Sequence, residues 1–187
     1  QLLYLTNSAT PIHRSDIHKK STAEIMSIPR HSTLVSIGAY CLLGNHFHLL
    51  LKETADGGIS IFMRKLGIAY AMYFNMKNER VGNLFVKPFR SRHVHDDRYY
   101  RRVVQYIHLN PADIFEPKWK IGVIKNYNKL ENSMKNYRYS SFVDYCEIPR
   151  AELSILDAEA KALLCTDLPS IKEVLLEASE YYAELSR

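Results

Sequence analysis

The sequence predicts a protein of the α+β class, because one pair of β-strands and two amphipathic helices stand out from its pattern. Residues 34–43 (LVSIGAYCLL) are rich in β-branched and aromatic side chains, and residues 46–52 follow the turn signal Gly44-Asn45. Residues 59–77 and 97–110 carry apolar side chains at helical spacing. We therefore expect an antiparallel hairpin combined with helices.

The N-terminal third is predicted to contain two short helical stretches joined by a loop. Residues 1–8 (QLLYLTNS) read as the end of a helix, because apolar leucines are followed by the helix-breaking pair Asn-Ser. Residues 11–31 read as a loop that contains a short helix at 21–26. Either Ser21 or Thr22 could cap that helix.

The middle of the chain adds a third predicted strand and the start of the second long helix. Residues 84–94 (LFVKPFRSRHV) read as an irregular strand, in which Pro88 indicates a bulge or an edge position. Asp96 and Asp97 place carboxylates at the positive end of the helix that follows. Pro111 is expected to end this helix, since the residue before a proline resists the α region.

The C-terminal part reads as a loop-rich segment followed by helices. Residues 113–145 carry few periodic apolar positions, whereas 153–164 and 170–185 read as two amphipathic helices around Pro169. We therefore divide the chain into a domain over residues 1–145 and a helical C-terminal extension over 146–187.

Composition limits the classes of function. The 187 residues, 47% of them hydrophobic, suit a globular domain with an appendage. A formal net charge of +5 favours an anionic partner. Three scattered cysteines favour a reducing cytoplasm, and no apolar run approaches the roughly 20 residues that span a bilayer. No signal peptide opens the chain, and the absence of an initial Met suits a segment of a longer protein.

His46 and His48 are the first candidate site residues. Successive side chains of a strand point to opposite faces, so the two imidazoles would share one face while Phe47 points into the core. Two imidazoles on a rigid element can begin a divalent metal site. The alternative is that they are two polar residues on the solvated face of a half-buried strand.

Tyr106 and Asn110 form the second candidate pair. They are four residues apart and therefore fall on one face of the predicted helix. A phenol beside an amide oxygen combines a candidate nucleophile with a candidate ligand for a hard metal. The alternatives are that Tyr106 is a packed aromatic and that Asn110 is a helix C-terminal residue.

Taken together, these motifs resemble one known family. His46-Phe47-His48 resembles the His-hydrophobe-His motif of single-tyrosine HUH transposases, and YIHLNP at 106–111 resembles the tyrosine helix of their REP-associated branch. Other segments that resemble motifs of this branch are NHFHLL at 45–50, YAMYFN at 70–75, the strand at 82–92 and YRYSSFVDY at 137–145.

The resemblance implies a fold. Residues 1–145 would form the HUH transposase-like catalytic domain, a ferredoxin-like βαββαβ sandwich with an antiparallel sheet and its helices on one face. The two histidines would lie on the central strand. The family begins with a strand and a helix, so the first strand would be missing from this chain, which would start inside that helix.

The resemblance also implies a reaction. His46, His48 and Asn110 would hold Mg²⁺ or Mn²⁺, and Tyr106 would attack a phosphodiester of single-stranded, hairpin-bearing DNA. The products would be a 5′-phosphotyrosine and a free 3′-OH, with no requirement for ATP. Members of the broader family often dimerise, whereas the REP-associated branch tends to act as monomers, so a homodimer stays open.

A DNA substrate needs a cationic and partly aromatic surface, and the sequence offers one around the predicted third strand and second helix. The candidate DNA-binding residues of this surface are Lys87, Arg90, Arg92, Arg98, Arg101 and Arg102, and Arg64 and Lys65 of the first long helix could extend it. The alternative is a solvated basic face. Two other functions stay open: a non-catalytic or domesticated DNA-binding module, and a metal-dependent phosphohydrolase with water as nucleophile.

Overall fold

The computed structural model describes residues 1–85, 89–163, 173–175 and 178, and these are rich in helix. They fall into two compact units. The first unit comprises Gln1–Ile37, Leu51–Val94 and Ala151–Ile155, and the second comprises Gly38–Leu50, His95–Arg150 and Leu156–Arg187, each as far as described.

Three short helices open the first unit: α1 (Leu2–Thr6), α2 (Arg14–Ile17) and α3 (Thr22–Met26). A capping box starts α3, because the Ser21 hydroxyl accepts from the Glu24 N–H and the Glu24 carboxylate accepts from the Ser21 N–H. The predicted helices at residues 1–8 and 21–26 are confirmed, whereas α2 was not predicted.

The antiparallel hairpin is confirmed. Strand β1 (Val35–Leu42) pairs with β2 (Phe47–Glu53), and the Leu43 N–H donates to the His46 carbonyl at 2.9 Å across the turn. Most side chains of β1 are buried, as its apolar run predicts. The open end of the hairpin belongs to the first unit and its turn to the second.

Helix α4 (Gly58–Lys77) completes the first unit and confirms the helix predicted at 59–77. It buries Phe62 and Leu66 and packs against α1. Its first residue must be glycine, because a Cβ on Gly58 would lie 2.1 Å from the Leu34 carbonyl oxygen. Although α4 has 20 residues, no helix in the described ranges has both the length and the hydropathy that crossing a bilayer needs.

The second unit is built from the hairpin turn and a series of helices. Helix α5 (Asp97–Leu109) confirms the second predicted helix, and the Asp96 side chain caps it by accepting from the Tyr99 N–H at 2.7 Å. The helices that follow are α6 (Ala112–Phe115), α7 (Tyr127–Lys135), α8 (Phe142–Tyr145) and α9 (Ala158–Ala162), with a 3₁₀ turn at Trp119–Ile121. A second 3₁₀ turn, at Ala151–Ile155, belongs to the first unit.

The core of the second unit lies between α5, α6 and α7. Its buried side chains in the described residues are Leu109, Ala112, Trp119, Leu130, Met134, Val174 and Leu175. They belong to helices and to the 3₁₀ turn rather than to the hairpin, so helix packing stabilises this part of the unit.

The prediction of a ferredoxin-like βαββαβ sandwich is wrong. In the described residues the sheet has two strands, and residues 84, 85 and 89–94 of the predicted third strand are not extended into a ladder. Of its described residues, Phe89, Arg90 and Arg92 are exposed, and Leu84, Phe85 and Val94 are only half-buried. In the second unit, residues 139–141 cover an edge of β1 through the bridge between Cys41 and Ser140.

The loop-rich reading of residues 113–145 is also wrong, since α6, α7 and α8 lie there. Asparagines and lysines separate the few apolar residues of α7 in the sequence, so the helical spacing of the buried Leu130 and Met134 is not obvious. In the tail, the predicted helix at 153–164 is split into a 3₁₀ turn and α9. Of the helix predicted at 170–185, residues 173–175 and 178 are helical and the others lie outside the described residues.

Candidate metal and DNA site

The two histidines lie together at the turn end of the hairpin. His46 immediately precedes β2 and His48 is its second residue, so their side chains share a face as the alternation of a strand predicts. Their ring centroids are 5.1 Å apart in a T-shaped arrangement. His46 is exposed and His48 is half-buried, which places the pair at the rim of the second unit.

Tyr106 and Asn110 meet the histidines from α5. The Tyr106 ring lies 5.2 Å from the His48 ring, centroid to centroid, and is 44% exposed. One turn further along the chain, the Asn110 Nδ2 donates to the Tyr106 carbonyl at 2.7 Å. The structure therefore brings His48, Tyr106 and Asn110 together, with His46 beside His48.

The local fold explains why the phenol is accessible. Val104, Ile107, His108 and Leu109 are buried, so Tyr106 occupies the opposite, solvated side of α5. Asn110 keeps a helical backbone conformation (φ −53°, ψ −37°) although Pro111 follows it. The amide therefore stays one helical turn from Tyr106.

Hydrogen bonds determine which imidazole nitrogens are available. The His46 Nδ1 lies 2.7 Å from the Asn45 Oδ1, which can only accept, so Nδ1 carries the proton and Nε2 keeps a lone pair. The His48 Nε2 is buried and has no hydrogen-bond partner within the described residues. A buried nitrogen without a partner is costly unless something else binds it.

The electrostatics keep His48 neutral. Burial lowers the pKa of His48, and the neighbouring His46 and Lys120 lower it further, while the Asn110 side chain raises it in part. The side chain of Asn110 therefore lies beside the imidazole of His48.

These donors fit a divalent metal. His46, His48 and Asn110 would supply two imidazole nitrogens and one amide oxygen, a mixed set for a moderately hard divalent metal that keeps positions for phosphate oxygens. Within the described residues, no group of three or more His, Cys, Asp or Glu side chains forms a metal site. A site here would therefore use the amide of Asn110 as its third ligand.

Lys120 is a charged neighbour that the sequence did not indicate. Its ammonium acts on the pKa of His48 and binds the Asp113 carboxylate at 2.7 Å. The other Asp113 oxygen accepts from the Trp119 indole at 2.7 Å, so Asp113 holds the start of this 3₁₀ turn near the site. Fourteen positions separate Lys120 from Tyr106, and no spacing rule connects them.

The candidate DNA-binding residues divide between the two units. In the second unit, Arg98, Arg101 and Arg102 are exposed on α5, and Arg98 and Arg102 precede Tyr106 at intervals of four. In the first unit, Arg64, Arg90 and Arg92 are exposed.

Two of the predicted DNA-binding residues, Lys65 and Lys87, are not found among these exposed cations. The Lys65 ammonium donates to the Ser8 carbonyl within the first unit, and burial lowers the pKa of Lys65. This cation is therefore engaged by the fold. Lys87 lies outside the described residues.

His108 of the YIHLNP segment lies apart from the candidate metal ligands. It is buried, its Nε2 is 2.8 Å from the Ser141 hydroxyl, and its ring packs against Phe142 and Tyr145. Burial lowers the pKa of His108 to about 3. His108 thus stabilises the core as a neutral group.

Comparison of the chain with protein-family models, with curated proteins and with solved structures finds no match.

Proposed function

We propose that this chain is a metal-dependent, single-tyrosine strand transferase, a transposase that cuts and rejoins single-stranded, hairpin-bearing DNA. The observation that carries the proposal is the exposed phenol of Tyr106, whose ring contacts His48 at 5.2 Å in a cluster with His46 and Asn110. The proposal depends on these side chains and not on a particular fold.

The proposed step is the transfer of a phosphoryl group to the tyrosine. The Tyr106 oxygen forms a bond to phosphorus while the bond from phosphorus to the 3′ oxygen breaks. The phenol releases its proton and the leaving 3′ oxygen gains one, which yields a 5′-phosphotyrosine and a free 3′-OH. The covalent intermediate conserves the energy of the phosphodiester, so rejoining is the reverse reaction with another 3′-OH.

Each residue of the cluster has a separate part in this reaction. His46, His48 and Asn110 would hold Mg²⁺ or Mn²⁺, which when bound polarises the phosphodiester and stabilises the charge that develops in the transition state. Asn45 orients His46 through a hydrogen bond to the imidazole Nδ1. The Asn110 amide is held by its hydrogen bond to the Tyr106 carbonyl. The protein thereby holds the ligands and the nucleophile on two rigid elements.

The charge on α5 supports an anionic polymer as substrate. Arg98 and Arg102 lie on the same face of the helix as Tyr106, each one turn from the next, and all three are exposed. A row of guanidinium groups attracts the phosphates of a strand that runs along the helix toward Tyr106. The expected compartment is the cytoplasm, and a homodimer stays an open proposal.

The test is the capture of the covalent intermediate. The full chain, incubated with a 3′-labelled hairpin DNA and Mn²⁺, should form a labelled protein–DNA adduct that survives denaturation. Chelation of the metal should prevent the adduct, and Tyr106→Phe should abolish it while DNA binding persists. Tyr73→Phe is the matched control, because Tyr73 is similarly exposed and lies in the first unit.

The alternatives have different signatures. No adduct from the wild type, with DNA binding intact and indifferent to metal, would contradict the enzymatic proposal and favour a non-catalytic DNA-binding module. Release of a free 5′-phosphate without any adduct would indicate a phosphohydrolase that uses water.

A further inference from the structure

A polar groove runs along α7 in the second unit. It has a volume of about 630 Å³, within the range of small-ligand sites, and is open to solvent. Four asparagines and Lys129 line it together with the aromatic rings of Phe115 and Tyr137, and its lining residues in the described chain include no carboxylate. None of these residues belongs to the candidate metal site.

The asparagines form a stripe that helix stability does not explain. Asn128, Asn132 and Asn136 follow one another at intervals of four, so they share one face of α7 and its C-terminal end. Asparagine is a poor residue for a helix interior, because its side chain competes for backbone hydrogen bonds. The side chains of Asn128 and Asn132 are exposed, and within the described residues neither amide makes a hydrogen bond that would compensate for this cost.

The other two asparagines are held in fixed orientations. The Asn126 Oδ1 accepts from the Lys129 N–H at 2.9 Å, which leaves its NH₂ group as the outward donor. The Asn136 Nδ2 donates to the Asn132 carbonyl at 2.8 Å, which leaves its Oδ1 as the outward acceptor. The groove therefore presents fixed donor and acceptor groups at its two ends and two adaptable amides between them.

The aromatic side of the groove is also fixed. The rings of Phe115 and Tyr137 meet edge to face with centroids 6.1 Å apart. The Tyr137 hydroxyl donates to the Leu42 carbonyl at 2.7 Å, so the ring cannot turn away freely. Such rings offer a surface against which a planar group can stack.

We infer that this groove binds unpaired bases of a single-stranded DNA. Nucleobase edges carry donors and acceptors side by side, which carboxamides match in pairs, and aromatic rings stack on their faces. Lys129 supplies a cation for the adjoining phosphate. The inference takes the identity of the ligand from the proposed function, whereas the groove itself is independent of the metal site.

Chain connectivity and hydrogen bonds place the groove next to the elements that carry the proposed chemistry. Phe115 ends α6, which begins two residues after Asn110. The Tyr137 hydroxyl donates to the Leu42 carbonyl, and the N–H of the adjacent Leu43 donates to the His46 carbonyl across the hairpin turn. A base held in the groove would therefore fix the register of a strand relative to Tyr106, and so would select which phosphodiester is cut.

The test separates base recognition from attraction to phosphate. Fluorescence anisotropy in EDTA would measure the binding of the full chain to a hairpin with a short deoxyadenosine tail, and to the same hairpin with abasic sites in that tail. We expect the wild type to bind the intact tail about tenfold more tightly, in line with the stacking and pairing of a base. The Asn128→Ala/Asn132→Ala variant should lose this preference and bind both DNAs alike.

Asn78→Ala is the control, because Asn78 is, like Asn128 and Asn132, an exposed asparagine, but it lies at the C-terminal end of α4 and does not line the groove. Alanine favours a helix, so circular dichroism should show that the double variant stays folded. A double variant that keeps the tenfold preference, or an Asn78→Ala variant that loses it equally, would overturn the inference. If the groove variants lose the preference but the wild type forms no adduct, the inference stands and the proposed function fails.

Discussion

Asn45 and His46, neighbours in the hairpin turn, are joined by a hydrogen bond of 2.7 Å between the amide Oδ1 and the imidazole Nδ1. This bond fixes the tautomer in which Nε2 carries the lone pair. We expect Asn45→Ala to weaken Mn²⁺ binding by about 10- to 100-fold, because residues that orient a ligating histidine typically contribute that much. Electron paramagnetic resonance of free Mn²⁺ measures the affinity without reference to catalysis.

Asn83→Ala provides the comparison for this prediction, since Asn83 is an exposed loop asparagine in the first unit. It should leave Mn²⁺ binding unchanged. If Asn45→Ala binds the ion as tightly as the wild type, His46 is not oriented by Asn45 for a metal.

The parts of the fold that the sequence predicted correctly are those in which local pattern and tertiary environment agree. The apolar runs of β1 and β2 flank a short turn, and Asp96 caps α5 at the position where its carboxylate is favoured. The four residues His46, His48, Tyr106 and Asn110 were then placed near one another by a motif resemblance. Local pattern alone could not have paired a strand with a helix that begins more than 40 residues later.

The errors come from segments whose environment decides their structure. Residues 84–94 carry β-forming side chains, but a strand also needs a neighbour for its backbone groups, and none of the described residues of this segment pairs with the hairpin. Helix α7 looked like a loop because its asparagines lower its intrinsic propensity, while Leu130 and Met134 stabilise it by packing. Lys120 lies near His48 only in the folded chain, so no spacing in the sequence could predict that the two residues interact.

Arg150 and Asp144 form an ion pair in the second unit, and the fold should be sensitive to the loss of either partner. Asp144 is 1% exposed, the Arg150 Nε donates to its Oδ1 at 2.8 Å, and Nη2 donates to Oδ2. The same guanidinium donates to the carbonyls of Arg138 and Ser140. Removing one partner leaves a buried charge, so Arg150→Ala should lower the free energy of unfolding by about 3–5 kcal/mol, measured by urea denaturation.

An exposed ion pair on α7 should contribute much less to the free energy of unfolding. Lys135 and Glu131 are in contact at 2.6 Å but their side chains are 40% and 38% exposed. Lys135→Ala should therefore cost less than about 1 kcal/mol. Equal losses for Lys135→Ala and Arg150→Ala would show that burial does not strengthen the Arg150–Asp144 pair.

The buried thiol of Cys41 should make the free energy of unfolding fall as the pH rises into the alkaline range. Burial raises the pKa of the Cys41 thiol to about 12, whereas an unfolded thiol ionises near pH 8.5. The fold favours the protonated form, so this contribution is fully present below the unfolded pKa and is lost as the pH rises toward the folded pKa. The free energy of unfolding should fall by up to about 1.4 kcal/mol per pH unit in this window.

The measurement compares the wild type with Cys41→Ala by urea denaturation from neutral pH into the alkaline range, because other groups also titrate there. The difference between the two proteins isolates the thiol. Free energies that fall in parallel would contradict the assignment. Native Cys41 should also react slowly with a disulfide reagent, since the thiolate is the reactive form.

Arg102 lies one helical turn before Tyr106 on the exposed face of α5 and is the cation nearest to it in sequence on that face. A phosphate contact adds affinity without reading bases, because it releases a condensed counterion. Arg102→Ala should therefore weaken binding equally for hairpins of different sequence and reduce the slope of log K against log salt by about 1. Lys20→Ala, which removes an exposed cation of the first unit, should leave the slope unchanged. If Arg102→Ala also leaves it unchanged, the DNA does not run along α5, and the exposed phenol of Tyr106 loses its proposed route to a phosphodiester.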